Sequence, residues 1–541
     1  MLNRRTFLRM TAAAGGLGAI EPITALAKRT QPSGFFSVHP FIEEHPEAVF
    51  VMKTNVDKKT NREAIKKVGL EFSQSVIVPA KKGVPLSTIV PIKPNLTNSF
   101  TSKEHFPEQA AKFPLEYGMG IVTDPYFVEG IIEGMRGLGM SGDRFYVREV
   151  TTPWDFAPRG YVNMCWRQGA NIKALFDDYR ELDPNDLQWV SFRNTEVFRK
   201  APYLWPVNAK NTWLLNIAKF KAHGMGLTLC CKNLQGTMPT PFQHYCSADR
   251  TLREIESYTV KNVYARAKAN YERHLAADFP RWRKQDDLGG YMMDVWSSRT
   301  LDNVSHTPAG LHIIEGVYGR DGDGFLAGPN KGPYSDQEAW DYMTNYVIFG
   351  KDPYRVDIVG LWLGGHEAGN VGFYHIAMER GFSTVLDPRK IPVYLWENGT
   401  ATLNRLDDFE RKPLKTYYMQ LENETKWRLL DEPFDYSKVA EGPRKLPETP
   451  CARVFDSTRP NPENNALSFE YALTRDGDAR LEILNDQGRT IEVLADGYRS
   501  AGFHTAVWDA HYRTSGTYFY RFRWGNFSET KKIVLLNNIG M

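Results

Sequence analysis

Cysteine is scarce in this chain, and its spacing does not suit metal binding. The 541 residues include five cysteines: Cys165, Cys230, Cys231, Cys246 and Cys451. None of them forms a C-x-x-C pair, the spacing typical of iron–sulfur and zinc sites. The odd number also argues against a complete disulfide framework. The spacing therefore argues against an iron–sulfur cluster and leaves the identity of any cofactor open.

The sequence also lacks an excess of charge of one sign and a long apolar run. With 67 basic and 64 acidic residues, the net charge is +3, which gives no support for a nucleic-acid partner. No run reaches the roughly 20 apolar residues that cross a bilayer, so we expect no stable membrane span. Hydrophobic residues make up 42% of the chain and aromatic residues 13%, which is enough for a large core.

The N-terminus has the features of an export signal. Arg4 and Arg5 precede an Ala- and Gly-rich apolar stretch that ends in Ala25-Leu26-Ala27, a small-x-small cleavage site. Residues 1–27 thus resemble a twin-arginine signal peptide, with an ordinary amphipathic N-terminus as the alternative. The resemblance implies the twin-arginine translocase as a partner during export, and a periplasmic or secreted protein that begins near Lys28.

Strands and helices alternate from Pro85 onward. "TIVPIKPNL", "DRFYVREV", "TWLLNIAKF" and "LHIIEGVYG" are typical of buried strands, "TDPYFVEGIIEGMRGLG" is typical of a helix, and "NMCWRQGANIKALF" suggests a helix with a glycine break. The alternation predicts an α/β domain over residues 28–390 with a mostly parallel sheet and flanking helices. Its core spans about 85–387, and the charged helical pattern of about 249–300 predicts a helical insertion.

The pattern changes after residue 390. Residues 391–454 are rich in proline and charge and are predicted to be a connector. Residues 455–541 contain short alternating runs separated by turns such as "RDGD", "DQGR" and "RTSG". That pattern predicts a small all-β sandwich of the immunoglobulin-like type.

Five motifs carry a family resemblance. They are, in order, "VPIKPNL", "VTDPYFVEGIIEGMRGLG", "LLNIAKFKAHGMGLTLCCKNLQG", "IIEGVYGRDGDG" and "FGKDPYRVDIVGLWLGG". Together they resemble the family numbered 362 among domains of unknown function, a family that implies no settled reaction. The segment of about 464–537, with "LEILNDQGRTIEVL" and "SGTYFYRF", is similar to the immunoglobulin-like domain of the FlgD type.

The third motif places basic residues at the end of a strand. Alternation puts Lys219, Lys221 and His223 on one face of that strand and Phe220 and Ala222 on the other. Like charges on one face repel each other unless an anion is present. Ligands of open α/β sheets bind beyond the carboxyl ends of strands, so the pattern predicts an anion-binding site; a solvated strand end with local salt bridges is the alternative.

Other residues are predicted to complete this site. Lys232 and Asn233 follow on a short helix of about 228–234, and Lys93 and Asn95 end another predicted strand. Loop chemistry around the neighbouring prolines is the alternative for the last two. The adjacent pair Cys230 and Cys231 is predicted to be buried and structural, because adjacent side chains do not readily face one metal.

Acidic residues occur in a glycine-rich segment and in an apolar helix. Glu315, Asp321 and Asp323 could bind a divalent cation, but their spacing does not match an EF-hand loop, and a tight turn is equally compatible. Asp357 lies between Val356 and Ile358 and could pair with a lysine or act as a base. Asp124 and Asp352, each before a proline, are interpreted as helix caps.

These features predict an exported enzyme that acts on a small anionic substrate, or through an anionic or metal cofactor. The alternative is a non-catalytic binding protein of the periplasm or cell envelope. The predicted catalytic residues are Lys221, His223 and Asp323; the predicted ligand-binding residues are Lys93, Asn95, Lys219, Lys232, Asn233 and Asp357; the metal candidates are Glu315, Asp321 and Asp323.

Overall fold

The structure is a computed structural model that describes most of the chain. The described residues are 34–96, 119–150, 159–175, 177–193, 195–223, 226–242, 249–276, 291–321, 341–414, 433–439, 451–454, 466–474, 477–499, 502–510 and 513–535. The predicted signal peptide and Asp323 lie outside these residues.

Two groups of elements build the N-terminal part. The strands are β1 (Phe35–Val38), β2 (Val49–Lys53), β3 (Ile77–Ala80), β4 (Val84–Pro85), β5 (Val90–Pro94), β6 (Phe145–Glu149), β7 (Asn171–Ala174), β8 (Leu187–Ser191), β9 (Lys200–Leu204), β10 (Leu214–His223), β11 (Gly226–Thr228), β12 (Ala309–Arg320), β13 (Asp341–Gly350), β14 (Val393–Glu397) and β15 (Thr400–Asn404). The helices are α1 (Pro40–Glu44), α2 (Arg62–Val76), α3 (Pro125–Gly137), α4 (Tyr161–Gln168), α5 (Cys230–Asn233), α6 (Asp249–Glu254), α7 (Val263–Ala276), α8 (Tyr291–Ser305), α9 (Pro353–Leu363) and α10 (Gly372–Glu379). Within the described residues, no helix is long and apolar enough to cross a membrane.

A ten-stranded sheet organises this part in the order β15-β14-β2-β13-β12-β10-β5-β6-β7, with β11 paired to the end of β10. The strands from β12 to β7 in this order are parallel, whereas β13 is antiparallel to both β12 and β2. Arg320, which ends β12, lies opposite Asp341, which begins β13, so the chain returns directly instead of crossing over. The predicted mostly parallel sheet with flanking helices is confirmed.

The two faces of the sheet pack against different helices. Leu215 and Ile217 of β10 belong to the core under α2 and α3, whereas Ala218 and Phe220 belong to the core that includes side chains of α8, α9 and α10. This alternation is the two-residue period of a strand buried on both faces. β10 is buried along its whole length, so every polar side chain in it needs a partner inside the protein or in a ligand.

Helices α2 and α3 pack closely because glycines face each other across the contact. A Cβ atom on Gly69 or on Gly130 would lie 2.1 Å from a backbone oxygen of the opposite helix. As predicted, Asp124 caps α3: its carboxylate accepts the Tyr126 N–H at 2.8 Å. The cap and the close contact fix the start of α3 next to the carboxyl ends of the strands.

One predicted helix is shorter than expected. The segment "NMCWRQGANIKALF" does not continue as a helix beyond its glycine. Instead, α4 ends at Gly169, whose φ of +67° is a left-handed conformation, and the chain then enters β7, which pairs with β6. The sequence prediction was wrong here because Gly169 terminates the helix rather than interrupting it.

The predicted connector of residues 391–454 also needs correction. Its first part supplies β14, which pairs with β2, and β15, which forms the edge of the main sheet. Leu414 is buried in the core of the α/β domain, and β16 (Cys451–Val454) already belongs to the C-terminal sandwich. Proline and charge around these strands obscured them, since edge strands tolerate both.

The C-terminal part is a separate all-β unit. Its strands are β16, β17 (Ala466–Leu473), β18 (Gly477–Leu484), β19 (Thr490–Arg499), β20 (Gly502–Asp509), β21 (Gly516–Trp524) and β22 (Phe527–Leu535). They form two antiparallel sheets, β16-β17-β20 and β19-β18-β21-β22. The sheets face each other through pairs such as Phe469 and Tyr520, whose ring centroids are 5.3 Å apart, and they enclose a core of their own.

We expect this unit to fold alone. A fragment of residues 445–541 should show a cooperative melt and near-UV circular dichroism, because its core needs no side chain from the α/β domain. A fragment of residues 462–541 lacks β16 and should melt at a lower temperature, since β17 loses one of its two partners. An unfolded 445–541 fragment would show that the α/β domain is required for this unit to be stable.

Candidate functional site

The predicted site lies where β5 and β10 end beside the short helix α5. Lys93 of β5 stands opposite Asn216 of β10 in the parallel ladder, and α5 follows the β10–β11 hairpin directly. Carboxyl ends of neighbouring parallel strands therefore meet here, as in the ligand sites of open α/β sheets.

Lys93 forms a buried ion pair. Its Nζ lies 2.5 Å from Glu149 Oε2 and donates to Pro94 O at 2.7 Å and to Asn233 Oδ1 at 3.1 Å. Lys93 is 1% exposed and Glu149 5%. Burial lowers the pKa of Lys93 and raises the pKa of Glu149, so the charged forms of both depend on their contact.

The surroundings of Glu149 leave no room for another side chain. The carboxylate also accepts the N–H groups of Leu96 at 3.2 Å and Val150 at 3.0 Å. A Cβ atom on Gly236 would lie 1.7 Å from Glu149 Oε1 and 2.8 Å from Lys93 Cε. The glycine that follows α5 in the sequence is therefore required for the close approach of this turn to the ion pair.

A chain of amides fixes α5 against the sheet. Asn233 Nδ2 donates to Lys93 O at 3.0 Å and to Asn216 Oδ1 at 2.8 Å. Asn216 Nδ2 in turn donates to Cys230 O at 2.9 Å and lies 3.0 Å from His312 Nδ1. Burial lowers the pKa of His312 to about 3, so its neutral ring can accept this bond. Asn233 thus positions Lys93 and α5 together.

Lys219 occupies a second buried network. Its Nζ lies 2.6 Å from Glu315 Oε2 and 3.5 Å from the centre of the Tyr318 ring. Tyr318 donates its hydroxyl to Asp124 Oδ2 at 2.7 Å, and the Asp124 N–H donates to Glu315 Oε2 at 3.1 Å. Burial raises the pKa values of Asp124 and Glu315.

The two networks lie on opposite faces of the sheet. Asn216 shares a face with its ladder partner Lys93, and Lys219 is three residues further along β10, on the other face. Glu149 and Glu315 therefore supply negative charge that the sequence argument assigned to an external anion. Sequence reasoning missed Glu149, although it ends a strand that was predicted next to β5.

Three basic side chains gather at the end of β10. Lys221 is fully buried and His223 is 7% exposed, while Lys232 of α5 is half-buried. Burial, together with the charges of Lys232 and Lys221, lowers the pKa of His223 well below its usual value. The charge of Lys232 also lowers the pKa of Lys93. We call Lys93, Lys221, His223 and Lys232 the basic cluster.

Asn95 lies at the edge of the basic cluster. Its N–H donates to Thr123 Oγ1 at 2.9 Å, and its carbonyl accepts the Thr123 N–H at 2.9 Å. The side chain is 7% exposed. These bonds tie the end of β5 to the residue before the Asp124 cap, so the loop after β5 and the start of α3 are held together.

Asp357 supports α5 from the opposite helix. Its two oxygens accept the Cys230 N–H at 2.7 Å and the Cys231 N–H at 2.9 Å, and burial raises its pKa to about 7. The thiols of Cys230 and Cys231 are free and buried. Their side chains belong to the apolar core, and their backbone, rather than their sulfur, makes the polar contact.

The acidic candidates for a metal site are spread apart. Glu315 lies inside β12 and is held by Lys219, and Asp321 follows the end of β12 and is buried. Asp323 lies outside the described residues. Among the residues that the structure describes, no group of three His, Cys, Asp or Glu side chains is arranged to hold a metal ion.

The match to known sequences covers this whole region. Residues 90–362, just over half of the chain, match the family described as domain of unknown function (DUF362). The chain belongs to the DUF362 family. No curated protein matches it.

The DUF362 region runs from the first residue of β5 almost to the end of α9. It therefore contains both buried ion pairs, the basic cluster and Asp357. By contrast, β2, β14 and β15 complete the main sheet from outside the matched range. All the described residues considered for the site are thus part of the family region, and the added strands extend the sheet on the side away from it.

Proposed function

We propose that the protein is an enzyme that binds a small anionic substrate at the basic cluster. One observation carries the proposal: Lys221, His223 and Lys232 lie close enough together for the two lysine charges to lower the pKa of His223. Such crowding destabilises the cationic forms unless negative charge is nearby. An anionic substrate at the end of β10 would relieve that repulsion.

The lowered pKa of His223 suggests a proton acceptor. A neutral imidazole at neutral pH can take a proton from a bound substrate, and the lysines can stabilise the negative charge that results. In this proposal Lys221 and His223 are the catalytic residues, with Asp323 as a further acid or base. Lys93, Asn95, Asn233 and Asp357 shape the site, and Lys219 supports it from the other face.

Replacing Lys221 with methionine tests the anion site. We expect inorganic phosphate, acetate or malonate to raise the melting temperature of the wild-type protein. The K221M variant should bind the same anions at least tenfold more weakly, because a hydrogen bond to a charged group contributes about 1.5–3 kcal/mol. Isothermal titration calorimetry measures the change, once circular dichroism shows that the variant is folded.

The exposed Lys210 provides a matched control. K210M removes the same charge and should bind as the wild type does. Equal affinities of K221M and the wild type would refute the anion site. Binding without turnover of any substrate in a broad screen would instead favour the alternative, a non-catalytic binding protein.

We also propose that the protein reaches the periplasm or the medium through the twin-arginine pathway. Residues 1–40 fused to a folded reporter should be exported, and changing Arg4 and Arg5 together to lysine should retain the reporter in the cytoplasm. Changing only Arg9 to lysine is the matched control and should leave export intact. Export of the double variant at the wild-type level would contradict the proposal.

For the C-terminal unit we propose an immunoglobulin-like module of the FlgD type. The support is its pair of facing antiparallel sheets with a separate aromatic core. Such a module fits either an enzyme or a binding protein.

A further inference from the structure

A pocket opens beside the basic cluster, and Lys232 belongs to both. The pocket comprises about 340 Å³ of space, part of it open to solvent. Besides Lys232, its walls include Trp296, Leu361, Val371, Phe373 and Tyr374. Ligand pockets typically combine such an apolar lining with a few polar groups at one side.

Aromatic rings from two helices form one wall. Trp296 of α8 and Phe373 of α10 have ring centroids 5.6 Å apart, and the Tyr374 ring stands edge-on to Phe373 at 5.1 Å. All three rings are at most 5% exposed. This wall is therefore preformed and matches a flat or slender apolar group.

The charged groups of the pocket are unequal. Asp357 also lines it, but both of its oxygens already accept the N–H groups of Cys230 and Cys231. Lys232 is half-buried and brings positive charge to the mouth. An amphipathic ligand with a negative end complements this arrangement better than a purely apolar ligand or a cation.

We infer that this pocket takes the apolar end of the ligand whose anionic end lies on the basic cluster. The ligand class is a small carboxylate or phosphate that carries one aromatic ring or a short alkyl chain. The inference rests on the proposed function and adds substrate specificity to it. Lys232 would contact the anionic end, while Trp296 and Phe373 would contact the apolar end.

Two pairs of probes test the inference on the full-length protein. Benzoate and phenyl phosphate should bind at least tenfold more tightly than acetate and inorganic phosphate, because only the first pair buries a ring. Titration calorimetry measures the affinities. Quenching of tryptophan fluorescence by the aromatic probes reports contact with the pocket.

Variants separate the two ends of the ligand. V371F fills the pocket and should remove the advantage of the aromatic probes while leaving acetate and phosphate binding unchanged. V371L fills it less and should act in the same direction if V371F does not fold. K232M should weaken all four probes, whereas the exposed-site variant K210M should weaken none.

The outcomes distinguish the inference from the proposed function. Equal affinities for the aromatic and simple anions, lost together in K221M, would overturn the pocket and leave the anion site standing. An aromatic advantage that survives in V371F and V371L, or tight binding that survives in K232M, would also overturn it. Absence of binding by all four probes would overturn both proposals.

Discussion

Replacing Lys93 with methionine is expected to lower the free energy of unfolding of the α/β domain by about 3–5 kcal/mol. Methionine retains much of the apolar stem of lysine, so the loss comes from Glu149. Without the ammonium group 2.5 Å away, a carboxylate that is 5% exposed remains without its counter-ion. Urea denaturation, followed by circular dichroism and tryptophan fluorescence, measures the difference.

The double variant K93M/E149Q should recover most of this loss. Glutamine keeps an oxygen for one of the N–H groups of Leu96 and Val150 and carries no charge. The surface pair Lys67–Glu71, whose side chains are 74% and 49% exposed, supplies a matched control. K67M should cost less than about 1 kcal/mol.

The loss should also depend on pH. Burial raises the pKa of Glu149, and removal of Lys93 raises it further, so the carboxyl group is protonated in the folded variant over a wider range. Below the unfolded pKa both states carry the proton, and K93M should cost least. The cost should grow as the pH rises above about 4.5. A cost that is constant from pH 4 to 8 would contradict the buried-charge explanation.

Local pattern was sufficient to predict where the strands of the site end. A strand buried on both faces leaves a near-continuous apolar run, and β10 shows one that is interrupted only near its carboxyl end. The helix caps Asp124 and Asp352 were equally local, since each carboxylate accepts an N–H two residues further on. Predictions that depend on a few adjacent residues were therefore reliable.

Contacts between distant segments could not be derived in the same way. Glu149 reaches Lys93 across 56 positions and Glu315 reaches Lys219 across 96. Which face each lysine occupies depends on the register of β5 against β10, and no pattern within either strand fixes that register. The sequence thus indicated a concentration of positive charge but not the buried carboxylates that neutralise part of it.

The role of Asp357 shows the same limit at a single residue. Its position in an apolar helix indicated a buried polar function, and a lysine partner or a base was expected. The contacts found are backbone N–H groups of α5, more than 120 positions earlier in the chain. A backbone donor leaves no trace in residue identities, so this partner required the three-dimensional arrangement.

Exchange of Asp357 for asparagine should remove a large pH-dependent term from the stability of the protein. Burial raises the pKa of this carboxyl from 3.8 to about 7, which corresponds to about 4 kcal/mol. Below pH 4 both states hold the proton, and between pH 4 and 7 only the folded state does. Because the folded state then binds more protons, stability falls as the pH rises through this window and levels off above it.

Asparagine resembles the protonated carboxyl group, and it still offers one oxygen to the Cys230 N–H. The unfolding free energy of the wild type minus that of D357N should therefore decrease by several kcal/mol between pH 4 and pH 8. D143N, at a side chain that is 70% exposed, is the matched control and should show no such trend. A difference that stays constant across this range would mean that the two N–H groups keep Asp357 ionised throughout. The hydrogen bonds to α5 would then outweigh desolvation, and the carboxylate would fix Lys232 and Asn233 as a permanent charge.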